Sequence, residues 1–138
     1  MVDATPQKPT YRADVDMLLD LPDHIKSHPY FCLWRWDYDK KRGAWTKVPY
    51  DPNRPSRKAK PNDTSTYSTF DKTLDVYAEG NHDGVGVGLF DGLSGVDIDH
   101  HLDDDGYLDE FAQGVVDTMG AYTEVSPSGD GVHILFTC

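Results

Sequence analysis

Beyond Lys72 this 138-residue chain has no lysine and no arginine, and its whole length holds only 3 glutamates and 2 cysteines. Each scarcity excludes something. Cys32 and Cys138 lie far apart and neither belongs to a CxxC pair, so a zinc site or a disulfide framework has no support. Two reduced, inert thiols are expected. No apolar run approaches the ~20 residues that span a bilayer. The N-terminus has no basic flank followed by an apolar stretch, so no secretory signal is read. The expectation is a cytoplasmic protein with no membrane partner.

The charge that is present is unevenly placed. All 13 basic residues fall within positions 1–72, beside 10 acids, whereas positions 73–138 carry 14 acids and no Lys or Arg. The whole chain has a net charge of -11. Between Arg35 and Lys60 the sign reverses, nine basic residues standing against Asp37, Asp39 and Asp51. Such asymmetry marks an anion-facing surface on an otherwise acidic body. The acids are 21 Asp to 3 Glu. An Asp-heavy, Lys-poor surface suits a salt-rich cytoplasm, and a halophilic source is the expectation. Retained folding in molar KCl would support it; precipitation there would refute it.

Apolar residues make up 38% and aromatics 12% of the chain, with a mean hydropathy of -0.61. That is globular composition, and 138 residues make one domain by length. Positions 1–12, polar and proline-bearing, read as a flexible leader, and 13–138 as the domain. A short amphipathic helix is expected over Val15–Leu21 and an aromatic strand over Tyr30–Trp36, with a charged turn at Asp37–Gly43. The return strand covers Ala44–Pro49, and Asp51–Asn62, with three prolines, reads as an exposed basic loop. Tyr67, Phe70, Leu74 and Tyr77 trace one helical stripe from a Ser/Thr start to Gly80. Strands follow at Gly84–Leu89, with a bare glycine face, and at Leu93–Asp99. Leu108, Phe111, Ala112, Val115 and Met119 mark a second amphipathic helix, and Tyr122–Val125 and Val132–Phe136 are the last strands. The expected class is α+β, a mixed or antiparallel sheet covered by helices.

Two patterns carry chemistry. In Gly95-Val96-Asp97-Ile98-Asp99, the i, i+2 spacing turns Val96 and Ile98 to a core and brings Asp97 and Asp99 to the opposite face. Paired carboxylates repel unless a cation bridges them, and two such cations can activate a 3′-hydroxyl and steady a leaving pyrophosphate. The plain alternative is a strand with a wet polar face. In Ser126-Pro127-Ser128-Gly129-Asp130-Gly131-Val132-His133, a hydroxyl and flexible glycine N–H groups can grip an anion, and His133 can donate to a phosphate oxygen. Asp130 is expected to point outward. Lys47, Arg54, Arg57, Lys58 and Lys60 lie among Trp34, Trp36, Trp45 and Tyr50, an interleaving that can track a backbone and stack bases; an ordinary charged hairpin is the alternative. Gly84-x-Gly86-x-Gly88 is followed by Leu89 and fails as a dinucleotide fingerprint, and Asp103–Gly106 fails as a calcium loop because His101 and Ala112 fall at ligand positions.

Taken with Trp34-Arg35-Trp36, Trp45–Pro49, Thr66–Phe70 and Asp83–Gly88, these two patterns resemble the N-terminal primase-polymerase domain of phage, plasmid and archaeal replication proteins, in the archaeo-eukaryotic primase superfamily. The resemblance runs from about Leu21 to Phe136. It implies an α+β core whose catalytic half is similar to an RNA-recognition-motif sheet, and primer synthesis and extension on single-stranded DNA with Mg²⁺ or Mn²⁺. By it, Asp97 and Asp99 hold the two cations, while Ser128, Gly129, Gly131 and His133 contact the triphosphate, His133 counting with the carboxylates as catalytic. Lys47 is a further nucleotide candidate, Arg54, Arg57, Lys58 and Lys60 are candidates for the template, and a replicative helicase is an implied partner. The family's third metal-binding acid lies on a strand beyond the histidine motif, and the sequence stops five residues past His133. A fragment of a longer enzyme is therefore expected, or a truncated, non-catalytic nucleotide- and strand-binding module derived from one.

Overall fold

A computed structural model describes residues 5–137, so Cys138 lies outside the described residues. They form two compact units, divided between Gly88 and Leu89.

The first unit is built on a four-stranded antiparallel sheet. Strands β1 (Phe31–Asp39), β2 (Ala44–Asp51), β3 (Arg54–Lys58) and β4 (Gly84–Val87) lie in the order β3-β2-β1-β4. Two short helices, α1 (Val15–Leu19) and α2 (Asp23–Lys26), precede it, and α3 (Phe70–Tyr77) packs on it. The expected basic loop therefore contains a strand. Arg54 pairs with Asp51, and Lys58 with Tyr50 across a register shift, so β3 takes β2's open edge despite Pro55. Leu33 and Tyr50 of the sheet close a core with Val76 and Tyr77 of α3. That helix starts later than the aromatic spacing implies. The Thr69 hydroxyl accepts the Lys72 N–H at 3.2 Å and caps it, while Tyr67 stays outside, at the end of a 3₁₀ turn over Thr64–Thr66.

The bare glycine face of β4 has a mechanical reason. Gly84 pairs with Trp34 and Gly86 with Cys32, and a Cβ on Gly84 would fall within the Trp34 indole. These glycines make room for a tryptophan. Cys32 is buried, and desolvation pushes its thiol up to about 12, which leaves it inert. On the same face Trp36 Nε1 donates to the Tyr11 carbonyl and Trp45 Nε1 to that of Pro6, and Tyr11 stacks on Trp34.

The second unit is a split β-α-β arrangement. Strand β5 (Leu93–Ile98) is followed by α4 (Glu110–Met119), β6 (Tyr122–Val125) and β7 (Val132–Thr137). The last strand inserts between the first two, antiparallel to both, giving the order β5-β7-β6. Val96, Ile98, Val132 and Ile134 turn one face toward α4, where Ala112, Val115, Val116 and Met119 meet them. Asp109 caps that helix through the Ala112 N–H at 2.8 Å, and Gly120, at φ 56°, ends it. Phe111, expected on the apolar stripe, is 64% exposed. It lies about a quarter-turn from Ala112 at ~100° per residue, against the His101 ring.

Candidate functional site

The face of the second sheet turned away from α4 carries the carboxylates. Antiparallel register sets Asp97 directly opposite His133, and His133 directly opposite Glu124. One row therefore crosses all three strands, and directly opposed side chains share a face. His133 Nε2 lies 3.6 Å from Asp97 Oδ1, and His133 Nδ1 lies 3.2 Å from Glu124 Oε1. The Tyr122 hydroxyl donates to the other Glu124 oxygen at 3.0 Å. Asp99 is exposed, one residue past the end of β5, just before His100 turns the chain at φ 63°.

The Ser/Gly turn abuts this end of β5. The Ser126 N–H donates to the Gly131 carbonyl and the Gly129 N–H to the Ser126 carbonyl, both at 2.9 Å, with Gly129 at φ 83°. Gly131 is packed so closely that a Cβ there would strike the Ile98 carbonyl oxygen and lie 3.2 Å from Asp99 Cα. Inside the turn the Ser126 and Ser128 hydroxyls share a hydrogen bond of 2.8 Å. Ser128 Oγ donates to Asp130 Oδ1 at 2.7 Å, and His100 Nδ1 binds Asp130 Oδ2 at 2.6 Å. The Ser128 hydrogen bond and then His100 hold the Asp130 carboxyl below its usual range. Asp109, bound by the Ala112 N–H and by His101, is lowered in the same way.

The missing lysines explain who pairs with whom. Among the described residues beyond Lys72, every ion pair with both partners in this unit uses a histidine: His100 with Asp130, His101 with Asp109, and His133 with Asp97 and Glu124. No group of three or more His, Cys, Asp and Glu side chains is disposed to hold a metal ion among the described residues. The Asp97 and Asp99 carboxylates are both exposed. A hard cation of the Mg²⁺ kind can be bound through one or two carboxylates, completing its shell with water and phosphate oxygens rather than in an all-protein cage.

Of the residues singled out in the sequence, Asp97, Asp99, Ser128, Gly129, Gly131 and His133 all belong to this three-stranded unit. Lys47, paired with Trp36 on β2, and Arg54, Arg57, Lys58 and Lys60 belong to the first unit, all five exposed. Sequence reasoning misses Glu124. Counting outward from the turn, with Val125 opposite Val132, puts Glu124 opposite His133, so the hairpin itself holds the signal.

The chain is similar to the DNA primase-polymerase of Nitratiruptor phage NrS-1, 28% identical over 124 residues. The alignment covers 86% of this chain but 16% of that protein, so the chain spans about one sixth of its relative's length. That likeness supports a primase-polymerase relationship. No protein-family model matches the chain.

Proposed function

We propose that this chain carries the metal- and nucleotide-binding part of a DNA primase-polymerase that acts in replication on a single-stranded DNA template. The observation that carries the reading is the register of Asp97 against His133, with the Ser/Gly turn closed onto Asp99. A carboxylate pair able to take a hard cation, beside a turn able to grip an anion, would meet the two needs of nucleotidyl transfer. The similarity to the phage enzyme and the split β-α-β sheet, half of an RNA-recognition-motif topology, support it.

In this reading Asp97 and Asp99 hold Mg²⁺ or Mn²⁺, which when bound neutralises phosphate charge and activates a 3′-hydroxyl. His133 and the turn's backbone N–H groups orient the triphosphate. Ser128 has its proton committed to Asp130, so its hydroxyl must swing off that carboxylate to reach a phosphate oxygen. Arg54, Arg57, Lys58 and Lys60 meet the template. A replicative helicase is the natural partner of such a domain, in the cytoplasm. Among the described residues no helix is long and apolar enough to cross a membrane.

The test is nucleotide binding with and without Mn²⁺, beside Asp97→Asn and primer synthesis on single-stranded template. Metal-dependent dNTP binding, lost in the variant without loss of fold, is expected; equal binding in both would remove the assignment. A second reading, a binding module without synthesis, predicts metal-dependent nucleotide binding with no primer made under any metal.

A further inference from the structure

The first sheet carries a basic cleft distinct from the carboxylate row. Helix α3 covers one face of that sheet around Leu33, Tyr50 and Val85. Further along the same face the register places Arg35 and Asp37 of β1 beside Val48 and Thr46 of β2, and Lys58 of β3 on Tyr50's side. There the Lys40 and Lys41 turn and Lys58 enclose a cleft of about 360 Å³ with Thr46, Asp37 and Asp39 in its wall.

Its two acids are already engaged. Asp37 binds Arg35 Nε at 2.7 Å and accepts the Tyr50 hydroxyl, whose own proton is held more tightly by burial and by that carboxylate. Asp39 accepts the N–H groups of Lys41 and Arg42 at 3.0 and 3.3 Å, which shapes the turn. The lysines are not engaged. Among the described residues none of the three has a carboxylate within 4.0 Å, in a chain whose net charge is -11. Lysines gathered around one cleft repel each other unless a polyanion joins them.

We propose that this cleft holds consecutive phosphates of a single-stranded nucleic acid. Lysines from two separate segments are point charges that track a backbone without reading sequence. The turn residues Lys40 and Lys41 thereby join the strand surface for which Lys58 was a candidate. The proposal rests on the reading of the chain as a template-directed enzyme, but its readout is separate from that reading.

The experiment is anisotropy of a labelled oligothymidine across a salt series in EDTA, so that no metal site contributes. Lys40→Gln/Lys41→Gln/Lys58→Gln should weaken binding on the order of tenfold and flatten the log–log salt slope by about 2, at ~0.7 for each phosphate no longer neutralised. The double variant Lys40→Gln/Lys41→Gln, confined to the exposed turn, should flatten it by about 1.4 and guards against misfolding of the triple. The charge-matched Lys8→Gln/Lys26→Gln/Lys72→Gln should keep the parent slope. An unchanged slope in the cleft variants, or an equal loss in the control, overturns the proposal. So does tripolyphosphate binding through these lysines where oligothymidine does not bind. The EDTA readout needs no metal or nucleotide, so failure here and failure of metal-dependent dNTP binding are read apart.

Discussion

Gly131→Ala is expected to be among the most damaging single-methyl changes in residues 89–137, destabilising the fold by about 1–3 kcal/mol, the usual cost of overpacking. The added Cβ would strike the Ile98 carbonyl oxygen and press on Asp99 Cα. Both obstacles are backbone, so no side chain can swing away. Relief requires β7 to part from β5 at the Ile98–Val132 pair, which is also where the apolar face meets α4. Gly129→Ala is the control. Its φ of 83° is strained for alanine, but nothing lies within 4 Å of the added carbon, so the cost is the backbone term alone, roughly 1–2 kcal/mol. Urea unfolding of the two variants should rank Gly131→Ala below Gly129→Ala. In the folded fraction of Gly131→Ala, metal-dependent dNTP binding should fall as well, because the methyl forces the turn away from Asp99. A Gly131→Ala protein as stable as the parent would show that the turn does not press on β5.

Much of this arrangement is legible in the residues themselves. Alternation in Val96-Asp97-Ile98 and Val132-His133-Ile134 separates a core face from a carboxylate face, and the structure has Val96, Ile98, Val132 and Ile134 together against α4. What escapes has specific causes. The basic, proline-bearing stretch after Asp51 reads as loop by composition, yet β2's free edge supplies partners that composition cannot show, and β3 forms there. Tyr67 has the right spacing for the helical stripe, but spacing does not locate a start; the Thr69 cap does, three residues from the N–H it accepts. Phe111 has the right hydrophobicity and the wrong phase once Asp109 sets the first turn. The bare glycine face of β4 is visible in the sequence, but its reason, the pairing of Gly84 with Trp34, lies in the sheet register.

Glu124 is where the site reads furthest beyond its motifs. A histidine that must present Nε2 to a phosphate has to be stopped from rotating about its χ angles, and a second hydrogen bond at Nδ1 is the usual means. Here Glu124 supplies it at 3.2 Å and is itself held by the Tyr122 hydroxyl at 3.0 Å. Glu124→Ala is therefore expected to weaken metal-dependent dNTP binding on the order of tenfold, the worth of a hydrogen bond to a charged group. Glu124→Gln keeps an amide oxygen in place to accept from Nδ1 and should retain most of the affinity. Tyr122→Phe should fall between them, since it frees Glu124 without removing it. The measurement is the dNTP dissociation constant of each variant with Mn²⁺, beside its thermal midpoint. Rescue by glutamine at unchanged midpoints would assign Glu124 to the positioning of His133. Equal losses in Glu124→Ala and Glu124→Gln would mean that the carboxylate's charge, not its reach to Nδ1, is what the site uses.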